Sequence, residues 1–278
     1  MKQTISILGC GWLGLPLGKT LVDAGYTVKG TTRDSGKLSI LREHDIWPWL
    51  LALNPQPVYE EPVDIFFDCD TLIINVPPGL RGGKPPEFPI LQMKGILPWI
   101  KRNQPHVIYV SSTSVYPDNG GLVSESYTQD IRDSEAHPIL LAERLLQSDD
   151  TFSTTIVRFS GLYGYERNPA RYFAGRDYVR NGSAPVNLIH LDDCIGIIQR
   201  LIEKDIRDEV FNASSDEHPT REEYYTEMVR RSGLKLPTFS EADGGTRHKI
   251  VSNQKLKNVL GYRFLYPSPY DGPLDDVK

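Results

Sequence analysis

Apolar residues in the first half of the chain gather into short continuous runs: Ile5 to Leu8, Tyr26 to Gly30, Thr71 to Val76 and Val107 to Val110, with Thr155 to Arg158 later. Runs that are apolar throughout, rather than alternating with polar residues, suit strands covered on both faces, as in a parallel sheet. The stretches between them are long enough for crossover helices. The pattern predicts an α/β protein with a doubly wound parallel sheet. Leu13, Leu17 and Leu21 lie one helical turn apart, Pro16 falls in the first turn, and Gly25 can close the helix in a left-handed conformation.

Past residue 165 the texture changes. Positions 168–183 are rich in Arg, Gly, Asn and Pro and predict a long loop. Helical stretches follow at Leu191 to Glu203 and Thr220 to Ser232, with short apolar pieces at Val186 to Ile189 and Val210 to Ala213. The expected division is a sheet domain over 1–165 and a smaller, mostly helical substrate-side domain over 166–278, interleaved with the first. The tail from Tyr266, with its three prolines, is expected to wrap loosely.

Between the first apolar run and the first helix stands Gly9-Cys10-Gly11-Trp12-Leu13-Gly14, a GxGxxG. In a Rossmann domain the first glycine allows the tight turn and the second lets the backbone approach a pyrophosphate. The third lets the helix pack on the sheet, and the helix N-terminus supplies N–H groups and partial positive charge. Gly9, Gly11, Trp12, Leu13 and Gly14 are therefore the expected cofactor cradle, with Asn75, Val76 and Pro77 lining it from the end of another strand. At the end of the second strand, Thr32 and Arg33 are donors suited to an adenosine 2′-phosphate, which favours NADP over NAD. Asp34 would instead serve a 2′-hydroxyl if the register slips by one residue.

The segment Tyr109-Val110-Ser111-Ser112-Thr113-Ser114-Val115-Tyr116 resembles the SSxxVYG strand end of the extended short-chain dehydrogenases/reductases, the sugar-nucleotide epimerases and dehydratases. Val157 to Gly164 resembles their LRxxxxYG, Val186 to Asp193 their IHVxD, and Phe211-Asn212-Ala213 their YNv. The resemblance covers nearly the whole chain and is closest to the YeeZ-like subgroup, which shares GxGWLG, SSTSVY, the Arg171-x-Phe173-x-Gly175 loop and Leu260-Gly261-Tyr262. It implies that Ser112 polarises a substrate oxygen, with Ser111 beside the nicotinamide. It also implies a Tyr-x-x-x-Lys pair, but aligning Ala142-Glu143 puts Glu135 and Ile139 at those two positions. Both groups are missing. Glu135, His137, Tyr116 and Tyr109 are the candidate substitute acid/bases. Three readings stay open: an NAD(P)-dependent enzyme with an atypical site, a slow reductase relying on the cofactor's own hydride, and a non-catalytic NADP(H)-binding sensor or scaffold. Arg171 and Arg176, in a loop that faces substrate in the resembled family, are the expected holders of an anionic or nucleotide-sugar ligand.

Composition narrows the partners. A net charge of -5 over 278 residues offers no bulk attraction to nucleic acid or anionic membrane. No apolar stretch reaches the roughly 18 residues a membrane span needs, and the early glycines and Lys19 break a signal-peptide reading. Cys10, Cys69 and Cys194, scattered in apolar surroundings, read as small packing residues of a reducing compartment, and the expected location is the cytoplasm. His190-Leu191-Asp192-Asp193 is expected to be structural, Asp192 or Asp193 capping the next helix, and no metal site is expected. Arg221 to Tyr225 reads as a plain helix start. The expected state is a monomer or a homodimer.

Overall fold

The computed structural model describes residues 3–59, 62–240 and 248–275. In chain order the strands are β1 (Thr4–Leu8), β2 (Thr27–Thr32), β3 (Trp47–Leu53), β4 (Pro57–Tyr59), β5 (Thr71–Ile74), β6 (His106–Ser112), β7 (Leu122–Val123), β8 (Thr154–Phe159), β9 (Gly161–Tyr163), β10 (Leu188–His190), β11 (Val210–Ala213) and β12 (Ile250–Val251). The helices are α1 (Gly14–Asp23), α2 (Leu38–Glu43), α3 (Asp64–Phe67), α4 (Phe88–Asn103), α5 (Pro138–Gln147), α6 (Leu191–Glu203), α7 (Arg221–Arg231) and α8 (Gln254–Leu260).

Eight strands form one sheet in the order β11-β8-β6-β5-β1-β2-β3-β4. The pairs β1–β2, β1–β5, β2–β3 and β5–β6 are parallel. Ile5, Ile7, Leu72, Ile73, Ile74, Val107, Ile108, Ile156 and Val157 are fully buried, which is why these segments carry apolar residues without alternation. The chain winds from β1 outward to β2 and β3, then returns to β5, β6 and β8 on the other side. Strand order therefore reverses between β1 and β5, the switch point where such sheets leave a crevice at their carboxyl ends.

One edge departs from the simple pattern. β4 turns back antiparallel on β3, pairing with Leu51 to Leu53 only. Pro48, with no N–H to give, lies in the half of β3 that β4 does not reach, a position that tolerates it. Within β2, Lys29 is buried because its ammonium donates to the carbonyls of Ile65 and Asp68, both at 2.6 Å, at the end of α3. Cys10, Cys69 and Cys194 are free thiols; burial pushes Cys10 up to about 12 and Cys69 up to about 11. Among the described residues no helix is long and apolar enough to cross a membrane.

The chain folds as two interleaved compact units. The first comprises Met1–Val115, Ile131–Arg158 and Ile198–Val210; the second comprises Tyr116–Asp130, Phe159–Ile197 and Phe211–Lys278. The second unit holds the parallel pairs β9–β10 and β7–β12 with α7 and α8. Its core gathers Tyr163, Ala170, Val186, Leu188, Tyr224, Met228 and Val229.

The tail is not loose over its described part. Pro267 accepts the N–H groups of Asp216 and Glu217, and Pro273 accepts that of Tyr165. Asp193 does not cap α6 either. It is fully buried and accepts from Tyr262 Oη and from the N–H groups of Leu265 and Tyr266, while Asp192 accepts from Tyr165 and Tyr266. His190, buried against Tyr163, Tyr165 and Tyr266, takes the Asp192 N–H at Nδ1. Proline-rich sequence looked like slack chain, but the aspartates and the histidine recruit its backbone.

His106 makes the first unit acid-sensitive. It is buried; Thr155 Oγ1 donates to the Ile206 carbonyl, so His106 Nε2–H, 2.9 Å away, donates to Thr155. Burial pulls the imidazole down to about 4 from 6.5. The unfolded chain then binds a proton that the folded chain refuses between those values, so stability falls as pH drops below about 6.5. Between pH 6.5 and pH 5 the expected loss is about 2 kcal/mol. Urea titrations at the two pH values test this, and His106→Gln should flatten the difference.

Candidate functional site

The corner between β1 and α1 is built around its three glycines. Gly9 has φ 108°, and a Cβ there would stand 2.4 Å from the Asn75 carbonyl oxygen. Gly14 begins α1 so close to this turn that a Cβ would meet the Gly9 oxygen at 2.2 Å. Gly11 is different: it is exposed, and a Cβ on it meets nothing within 4 Å. Two glycines serve packing, and the middle one faces open space. No side chain caps the start of α1 and no acidic residue stands in its first turn, so the N-terminal partial charge is not neutralised locally.

Neighbouring strands brace the corner. Thr31 Oγ1 accepts the Gly9 N–H at 2.8 Å, its carbonyl accepts the Cys10 N–H at 2.8 Å, and Asn75 Nδ2 donates to the Gly9 carbonyl at 3.0 Å. Thr31 is thus spent inside the turn, and Asn75 acts through its side chain; next to it Val76 is half-buried and Pro77 is exposed. Leu13 is buried in the core and Trp12 is half-buried. At the end of β2, Thr32 Oγ1 accepts the Asp34 N–H, Arg33 is exposed, and the Asp34 carboxylate takes the Gly36 N–H at 3.0 Å.

The remaining first-unit candidates are dispersed among structural roles. Ser112 Oγ accepts the Ser114 N–H at 3.1 Å where β6 ends. Ser111 points its hydroxyl at the buried Glu143, which is also clasped by buried Arg158 through Nε (3.0 and 3.1 Å) and Nη2 (2.6 Å). His137 Nδ1 caps α5 by accepting the Ile139 N–H at 3.2 Å. Glu135 is exposed and paired with Arg132. Ile139, at the position where the resembled family carries lysine, is buried core. Tyr109 is buried, and burial raises its hydroxyl above the usual phenol range.

In the second unit, buried Tyr116 donates to Asn212 Oδ1 at 2.7 Å, and Asn212 in turn donates its N–H to Glu125 at 2.8 Å. Arg171 is exposed in a short 3₁₀ turn capped by Asn168. Arg176 lines a cleft of about 380 Å³ together with Phe173, Asp177, Tyr178, Arg180 and Arg221. The plain helix start expected at Arg221 therefore contributes a guanidinium to the Arg-rich loop.

No family model matches the chain. It is 32% identical over 277 residues to Protein YeeZ of Escherichia coli K12, an alignment covering 99% of this chain and 100% of the other. The chain belongs to the YeeZ family. A conserved protein of unknown function from Silicibacter pomeroyi DSS has a solved structure similar to this YeeZ-family chain, with TM-score 0.77 and 22% identity over 96% and 95% of the two chains. UDP-glucuronic acid 4-epimerase from Bacillus cereus, solved in complex with NAD, gives TM-score 0.75 and 19% identity over 97% and 94%. The fold of this YeeZ-family chain is accordingly the Rossmann-type fold of the NAD-dependent sugar-nucleotide epimerases.

Proposed function

We propose that the chain binds a nicotinamide dinucleotide at the Gly9–Gly14 corner and acts on a small anionic substrate of the nucleotide-sugar class. The observation carrying this is the contrast at the corner: Gly9 and Gly14 are filled in by neighbours, while Gly11 presents bare backbone to open space beside an uncapped helix start. That is the arrangement a diphosphate needs to approach main-chain amides. Such a cofactor, when bound, supplies hydride transfer. The chain's own part is to seat the diphosphate on the corner, place Ser112 at the strand end, and hold the adenosine end with Thr32 and Arg33.

The end of β2 supports NADP over NAD. The one acid there, Asp34, already serves Gly36, whereas Arg33 is exposed just past the strand. Fluorescence titration should give NADPH an affinity about tenfold or more above NADH, and Arg33→Asp should reverse the order. Equal affinities would remove the NADP assignment while leaving the dinucleotide site standing.

A second reading, a dinucleotide-binding sensor or scaffold without turnover, draws on the α5 region. There Glu135 faces solvent with Arg132, His137 is occupied as a cap and Ile139 is buried. Incubation with labelled NADPH and a panel of nucleotide sugars separates the two. Label appearing in a sugar supports the enzyme; tight binding with no exchange supports the sensor.

A further inference from the structure

The outer edge of the sheet in the first unit carries aromatic surface that the dinucleotide corner does not use. Trp47, Trp49 and Leu51 alternate with Pro48 and Leu50 along β3, so they share one face, and Tyr59 of β4 pairs with Leu51 on that face. Lys29, opposite Trp47 on β2, sends its ammonium to the Ile65 and Asp68 carbonyls, so α3 covers the same face. Ring contacts run through it in sequence. Trp49 meets Phe66 at 5.9 Å, Phe66 meets Phe67 at 5.2 Å, Phe67 stacks on Trp99 at 5.6 Å, and Trp99 meets Tyr59 edge-on at 6.4 Å. Trp49, Phe66 and Phe67 are buried, but the stripe surfaces at its rim: Trp47 is 57% exposed, Tyr59 45% and Ile65 56%.

Large apolar side chains grouped at a sheet edge invite association. The charge around them selects the partner, and here it is acidic. Asp64 and Asp68 flank Ile65 on α3, Asp70 lies with Asp68 near Lys29, and Glu43 and Asp45 lead into Trp47; all five are exposed. Arg102 is engaged by Asp64 at 2.9 Å, and Lys29 by the two carbonyls. Arg42 is the single Lys or Arg within residues 42–47 and 64–70. A second copy of this chain would set these carboxylates against their own kind, and nucleic acid or an anionic lipid surface would meet the same repulsion. A basic protein surface would be attracted.

We infer that Trp47, Tyr59 and Ile65 form a docking face for a basic polypeptide of another protein, one that presents apolar side chains between lysines or arginines. Trp and Tyr are the side chains that most often dominate binding energy at protein interfaces. Tyr59, held edge-on by Trp99, gives up little freedom on being covered. The acidic rim steers the partner in and sets copies of this chain apart. None of these residues belongs to the dinucleotide corner, so the docking face stands or falls apart from the function proposed above.

Anisotropy titration with a labelled peptide of alternating lysine and leucine, beside its glutamate–leucine counterpart, tests it. Saturable one-to-one binding of the lysine peptide is expected, with none for the glutamate peptide. Trp47→Ser and Ile65→Ser should each weaken it about tenfold or more. Asp68→Asn should weaken it at low salt and less at high salt. Leu265→Ser and Glu166→Gln, which remove an exposed apolar and an exposed acidic side chain of the second unit, should change nothing. All five positions are exposed, and thermal melts confirm that the variants fold. Absence of saturable binding overturns the inference. So does equal binding of the two peptides, or equal weakening by every variant, which would mark general stickiness or diffuse charge. Sedimentation showing self-association that Trp47→Ser abolishes would also overturn it, by giving the face to a second copy.

Discussion

Replacing Gly11 with aspartate leaves the protein folded and lowers dinucleotide affinity by at least about 100-fold. The fold should hold because a Cβ at this position meets nothing within 4 Å and the backbone is not left-handed. A carboxylate at a helix start is favourable for the helix itself. The same carboxylate would stand where the diphosphate must come. Two like charges about 4 Å apart near a protein surface repel by roughly 4 kcal/mol, more than the ~2.7 kcal/mol that 100-fold represents. Cofactor titration beside a thermal melt checks both halves. A variant that melts like wild type and binds as tightly would leave the corner without its assigned role. Gly14 offers no such clean experiment, since any side chain there strikes the Gly9 carbonyl.

Arg158→Met should cost about 3–5 kcal/mol of stability, the largest single loss foreseen in the first unit. Arg158 and Glu143 are both essentially excluded from water, and Glu143 also receives the Ser111 hydroxyl. Removing the guanidinium strands a carboxylate in apolar surroundings. Replacing both partners with methionine should recover much of the loss, because no buried charge then remains unpaired. Urea denaturation of the single and double variants measures this; a double variant as weak as the single would show that the pair is not the source. The strand end carrying Ser111 and Ser112 is braced by this pair, so function should suffer with stability.

The parallel sheet and the first corner were legible because their cause is local. Doubly covered strands need unbroken apolar runs, and a turn that admits phosphate needs glycine at fixed spacing. What escaped depends on distant partners. β3 and β4 were missed because Pro48 argues against a strand until one sees which half of β3 goes unpaired. The packed tail was missed because its prolines say nothing of the aspartates that bind it. The bracing of the corner by Thr31 was missed because its hydroxyl turns inward to the Gly9 N–H, a partner distant in sequence. Arg221 looked like an ordinary first-turn residue because its stack on Phe173 joins a loop and a helix far apart in sequence.

Native mass spectrometry of freshly purified protein addresses the central claim with the fewest assumptions. The account predicts a protein peak shifted by the mass of one nicotinamide dinucleotide, either retained from the cell or regained on adding NADPH, and lost from the Gly11→Asp variant. A folded wild-type chain that stays at its bare mass in the presence of excess NADPH and NADH would contradict it.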